Sequence, residues 1–93
     1  MVGVLTIHLH LPACASLKEK RGTIQPLLSR LHREFNLSAA EMGLQDRWQQ
    51  AVISCAMVGN DAAHLERSLQ TVARWVENHW PEGDVIGHHI ELF

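Results

Sequence analysis

Hydrophobic residues in this 93-residue chain change their spacing four times, and that sequence of periods restricts the fold more than any single motif. From Val2 to Leu11 the period is two, with Leu5, Ile7, Leu9 and Leu11 on one side and Val4, Thr6, His8 and His10 on the other; this predicts a half-buried strand. Pro12–Ala15 ends it. From Leu17 to about Glu34 the spacing becomes helical, with Leu17, Ile24, Leu28, Leu31 and then Phe35 on one stripe. Gly22 and Pro26 lie inside that stretch. A proline in a helix interior removes a hydrogen bond and crowds the preceding turn, so an irregular helix is expected there. Asn36–Met42 is a weakly alternating strand, Gly43–Arg47 turns the chain, and Trp48–Val58 is a longer strand, the two forming a hairpin. The Gly59-Asn60-Asp61 turn offers Asp61 as a cap for a second helix, where Leu65, Leu69, Val72, Val76 and Trp80 recur at helical spacing. Pro81, Gly83 and Asp84 stop it, and Val85–Phe93 alternates as the last strand.

Strand, helix, strand, strand, helix, strand in one domain of this length, with right-handed crossovers, predicts a ferredoxin-like α/β sandwich. It consists of one four-stranded antiparallel sheet with both helices on one face, which leaves the other face uncovered. The longest apolar run, Val52–Gly59, is too short to span a bilayer, and Met1–Leu11 lacks the basic start of a signal peptide. A cytosolic location is expected. Cys14 and Cys55 have no metal or redox spacing and read as free thiols, Cys55 as a small core residue.

Charge is unevenly placed. Residues 16–34 carry five cations (Lys18, Lys20, Arg21, Arg30, Arg33) against Glu19 and Glu34, whereas the whole chain has a net charge of −2. The first helix is therefore a basic element on an acidic domain. Ser16 and Glu19 fit a capping box at its start. Cations are disfavoured there by the helix dipole, which calls for carboxylates from elsewhere or for an external anion. Counting about 100° per residue, Lys18 points away from the apolar stripe and Lys20 and Arg21 flank it, Arg21 the closer, with its stem packed at the border. One reading is a salt bridge from Arg21 or Lys20 to a carboxylate such as Glu41. The other is an anion site for RNA phosphate, built from helix-start amides with Lys18, Lys20 and Arg21 and extended outward by Arg30 and Arg33.

The chain resembles the YlxP-like family of small bacterial proteins. The residues that carry the resemblance are Ser16-Leu17-Lys18-Glu19-Lys20-Arg21, Arg33-Glu34-Phe35-Asn36-Leu37-Ser38, Glu41, Trp48 and the Gly59-Asn60-Asp61 turn. It runs essentially the whole length and departs at Gly22 and Pro26, where helix-favouring residues are more usual. The resemblance implies the ferredoxin-like fold. It also implies a role near the ribosome, because the genes of such proteins often neighbour those of translation and ribosome-maturation factors. It brings no catalytic residues.

Two other features point to the uncovered sheet face. Seven histidines are many for this length, and His8, His10, His89 and Glu91 would meet there if the first and last strands are neighbours, forming a nitrogen and oxygen ligand set for zinc or nickel. The plainer reading makes them surface or interface residues. Val2, Val4, Val52, Val85 and Phe93, with Trp48, would give that face apolar area suited to a homodimer or a small ligand. Base stacking in the manner of an RRM needs aromatic platforms on central strands, and none falls there. No nucleophile with a base partner and no phosphate-binding loop is found, and no cofactor is expected. The leading expectation is a non-enzymatic module associated with RNA or the ribosome through its first helix.

Overall fold

In the computed structural model, which describes residues 1–93, the alternating segment at the N-terminus is strand β1 (Val2–His10). Leu5, Ile7, Leu9 and Leu11 are completely buried, each removal of such a side chain from water contributing about 1.5–3 kcal/mol. Then follow α1 (Leu17–Glu34), β2 (Ser38–Gly43), β3 (Gln50–Val58), α2 (Ala62–His79) and β4 (Asp84–Leu92). The sheet order is β2-β3-β1-β4 and every neighbouring pair is antiparallel. This is the expected βαββαβ, ferredoxin-like α+β arrangement. Neither helix is long and apolar enough to cross a membrane.

The register explains the core. Leu5 sits opposite Cys55 and Ile90, and Ile7 opposite Ile53 and His88, so one sheet face is an apolar floor that gives way to the exposed His88 at the β4 edge. On it lie Ile24, Leu27, Leu28 and Leu31 of α1 and Leu65, Leu69, Val72, Ala73 and Val76 of α2. Asp61 caps α2 as expected, its carboxylate accepting from Ala63 N at 3.0 Å and His64 N at 3.4 Å. Trp80 closes the end of α2, and the chain returns to the sheet so tightly that a Cβ on Gly83 would strike the His10 carbonyl oxygen and the Trp80 ring. Only glycine fits that return.

Two expectations are corrected. The helix α1 runs unbroken from Leu17 to Glu34 although Pro26 stands in its middle. The carbonyl that loses its donor belongs to Gly22, four residues back, and both residues are solvent-exposed, so water meets that carbonyl. Val85 does not face outward. A bulge between Gly87 and Val85 inserts Ile86 as an extra residue, and Val85 lands opposite Leu9, packed on the core. One extra residue reverses every side chain before it, which simple alternation across Val85–Phe93 misses.

Candidate functional site

The basic segment of α1 divides into residues with different tasks. Lys20 is 1% exposed, and its Nζ lies 2.7 Å from Glu41 Oε2 and donates to the Leu44 carbonyl oxygen at 2.6 Å. Glu41 is on β2, and Leu44, held at φ 56°, begins the β2–β3 loop. A leucine in the left-handed region is costly, by about 1–2 kcal/mol, and the ammonium group seated on its carbonyl offsets that cost. The Glu41 Oε2 contact is close in distance, though it lies outside hydrogen-bond angles and the oxygen has no other partner; the charge attraction needs only the distance. Lys20 is thus internal, not part of an anion site. Its place follows from its spacing: it precedes Ile24 by four residues, Leu27 by seven and Leu31 by eleven, so it belongs to the buried stripe.

Arg21, expected at the packed border, is exposed and makes no ion pair. The carboxylate expected to hold it, Glu41, is occupied by Lys20. The helix start is also satisfied from within. Ser16 Oγ accepts from Glu19 N at 3.1 Å, and Glu19 Oε2 accepts from Ala15 N at 2.6 Å, a capping box whose return bond reaches one residue before the cap. Arg30 is half-buried between the helices, donating to the His79 carbonyl at 2.9 Å with its guanidinium 4.8 Å from the Trp75 ring centre. Trp75 in turn stacks on His79 and meets Phe35 at right angles in a T-shaped contact. Arg30 therefore fastens α1 to α2 and leaves only part of its charge to solvent. Lys18 and Arg33 are exposed as expected.

Seven of the chain's eight Lys and Arg residues are on the two helices. At about 100° per residue, Lys18, Gln25, Ser29 and Arg33 face outward with Glu19 at their border about 40° from Arg33, while Arg21 lies on one flank and Arg30 and Glu34 on the other. Sequence reading missed Arg67 and Arg74 of α2. Both are exposed, opposite the buried Leu69, Val72 and Val76, and they stand seven residues apart on one stripe with Thr71 between them. The signal was their helical phase; each is next to a neutral or acidic residue in sequence, so no local charge run marks them. Arg74 Nη2 reaches Thr71 Oγ1 at 3.4 Å, and neither arginine has a carboxylate partner. The exposed cations of this layer are thus Lys18, Arg21, Arg33, Arg67 and Arg74.

The open sheet face is different in kind. It carries Val2, Val4, Thr6, His8 and His10 of β1, with Val52, Ser54, Ala56 and Val58 of β3, and it has no Lys or Arg. Val4, Val52 and Phe93 are on this side as expected, Phe93 pairing with Val2 through both backbone bonds. Trp48 is not; it is exposed in the β2–β3 loop. The histidine set does not assemble. His8 faces Gly87, His10 faces Asp84, His89 faces Thr6 and Glu91 faces Val4. His89 Nε2 is 3.5 Å from Glu91 Oε1, His10 Nδ1 is 3.7 Å from Asp84 Oδ2, and His8 Nε2 is 3.3 Å from Gln50 Oε1. These are separate pairs, and nowhere do three His, Cys, Asp or Glu side chains converge on a metal-sized space.

Both cysteines are free and buried. Burial alone pushes the Cys55 thiol from 9.0 up to about 12. In the unfolded chain this thiol ionises from about pH 9, but in the folded one it stays protonated until about 12. Stability is therefore complete below pH 9 and falls as pH rises through that window, by about 1.4 kcal/mol per pH unit from this group. Urea titrations on either side of pH 9 should show the loss, and Cys55→Ala should flatten it; equal slopes in both proteins would disprove the coupling.

A family model described as "Protein of unknown function (DUF503)" matches residues 2–90. The chain is also 33% identical over 82 residues to a Bacillus subtilis (strain 168) protein named "Uncharacterized protein YlxP", with 88% of each chain covered. The resemblance seen in the basic segment and the Gly59-Asn60-Asp61 turn thus extends across β1 to β4, and the chain belongs to the DUF503 family.

Proposed function

We propose that this chain is a non-enzymatic cytosolic protein that associates with RNA or the ribosome through the outward faces of its two helices. The observation that carries this reading is the segregation of charge: Lys18, Arg21, Arg33, Arg67 and Arg74 are exposed on the helical layer, and the sheet face has no cation. Glu19 borders the outward face of α1 but its carboxylate is engaged by the Ala15 amide, and Lys18, Arg21 and Arg33 make no ion pair, so these cations are available to phosphates. Aromatic side chains are missing from those stripes, which fits backbone contact better than base stacking.

Phosphate contact through about five cations makes the affinity for RNA fall with salt at a log–log slope of about −3.5 to −4.5. Fluorescence anisotropy with a labelled ribosomal RNA fragment across a salt series measures it. The variant Lys18→Glu/Arg21→Glu/Arg33→Glu, all at exposed positions, should stay folded, lose most binding and flatten the slope by about two to three. Unchanged affinity in the folded variant would sink the proposal.

A second reading, contact with another protein chain through the sheet face, is favoured by a separate observation. Val58 is 85% exposed and Phe93 70%, with Met42 and Ile86 more than half exposed, on a face without cations. Apolar area of that kind marks an interface more often than a solvated surface.

A further inference from the structure

Resting on that second reading, we propose that two copies of this chain pack their open sheet faces together about a two-fold axis parallel to the strands, so that the β4 edge of each copy covers the β2–β3 half of the other.

The face is not uniform. On the β2–β3 side, Ser38, Ala40, Ser54 and Ala56 form the floor of a shallow hollow, with Val4 and Met42 on its rim. Met42 is an extra residue there, since the β2–β3 register passes from Glu41 opposite Ile53 to Gly43 opposite Val52. On the β4 side the side chains are large: Ile86 raised by its own bulge, then His89 and Glu91, with Phe93 beyond the strand end. The β2–β3 half is low and the β4 half is high at Ile86, His89 and Glu91, with a dip at Gly87 between them; an isologous pair sets one half against the other.

The register decides between the two possible axes. Ala40, Ser54, Thr6 and His89 form one row across the sheet, and Ser38, Ala56, Val4 and Glu91 the next. An axis parallel to the strands keeps each row level and exchanges its ends. His89 then lies over the partner's Ala40, Glu91 meets the partner's Ser38, and Val4 meets the partner's Ala56. In these two rows large side chains fall on small ones, whereas in the row of Gly43, Val52, His8 and Gly87 the two glycines face each other and His8 meets the partner's Val52. An axis perpendicular to the strands instead sets β4 on β4. It would stack the two high edges, bring Asp84 and Glu91 of both copies together, and leave the hollows facing each other unfilled.

Charge and area agree with a second copy. The β2–β3 half of the open face has no charged side chain, so the partner's Glu91 meets a hydroxyl and no like charge. Three strands of nine residues and one of six, rising about 3.3 Å per residue and about 4.8 Å apart, present about 520 Å² each, or about 1,050 Å² over two copies. That is just above the area of about 1,000 Å² a specific interface needs, and it predicts a modest, concentration-dependent dimer.

Sedimentation velocity over a micromolar-to-millimolar series should show a monomer–dimer equilibrium. Ala40→Glu, at an exposed position, should weaken it by about 100-fold or more at about pH 8, because a buried carboxylate beside the partner's Glu91, on a face without Lys or Arg, has no counter-charge. Ala40→Cys protein mixed with His89→Cys protein should be joined by a short bismaleimide, and neither variant should be joined to itself. A chain that stays monomeric throughout would overturn the pairing of two copies, and the sheet face would then be left to a different protein chain. A dimer in which His89→Cys joins to itself, or which survives Ala40→Glu, would overturn the arrangement alone.

Discussion

Replacing Lys20 by methionine is expected to lower the unfolding free energy by about 3 kcal/mol, the largest loss foreseen for any single charge in the chain. The methylene stem of Lys20 packs among Ile24, Leu27 and Leu31, and methionine reproduces that volume, so packing is nearly conserved. What is lost is the ammonium. Glu41 keeps a carboxylate whose side chain is 16% exposed, and the Leu44 carbonyl loses its closest donor, retaining only Arg47 N at 3.0 Å. Stranding one member of a buried pair costs about 3–5 kcal/mol, and the residual exposure of Glu41 places this case at the lower end. The double variant Lys20→Met/Glu41→Met should recover most of that loss, because an apolar pair of similar volume needs no counter-charge. Urea unfolding of the wild type, both single variants and the double variant closes the cycle, with a coupling of about 2 kcal/mol or more expected. A Lys20→Met cost below 1 kcal/mol would mean that the pair is solvated and that Lys20 was available to a partner after all.

That residue also shows how far the sequence is legible. Element order, strand pairing and the two helical stripes follow from spacing, because burial on one face imposes a period of two on strands and 3.6 on helices. Ion pairing does not. Lys20 and Arg21 are adjacent cations about 100° apart on the helix, and which one is buried depends on which side of the stripe β2 supplies Glu41. The spacing of Lys20 to Ile24, Leu27 and Leu31 carried that information, but a charged residue is easily assigned to the surface. The bulges at Ile86 and Met42 leave no composition mark, so the reversal of Val85 was invisible. Arg67 and Arg74 were overlooked for a related reason: a cationic face assembled from two helices is a property of packing, and a linear scan for charge runs finds only the contribution of α1.

The middle of α1 should accept changes that make the protein more stable. Pro26 lacks the amide that would donate to the Gly22 carbonyl, and its ring crowds that same turn, yet the helix continues through it to Glu34. Proline in a helix interior is unfavourable by about 3 kcal/mol relative to alanine, offset by about 0.4–1 kcal/mol because it also restricts the unfolded chain. A Cβ added to Gly22 meets nothing within 4 Å, so Gly22→Ala gains the usual helix preference of about 0.5–1 kcal/mol without a clash. The two sites share one carbonyl and one turn, so their effects need not add in full. Together they should contribute roughly 2–3 kcal/mol, which for a chain of this size raises Tm by about 10–20 °C. Both residues are exposed, and neither is among the cations proposed to meet phosphate, so RNA affinity should be unchanged while Tm rises. A Tm that falls in Pro26→Ala would show that the proline sets a bend on which the seating of Leu27 and Leu28 depends. A rise in Tm accompanied by loss of RNA binding would instead place that bend in the recognition surface, because only the course of the helix, and none of its charges, would have changed.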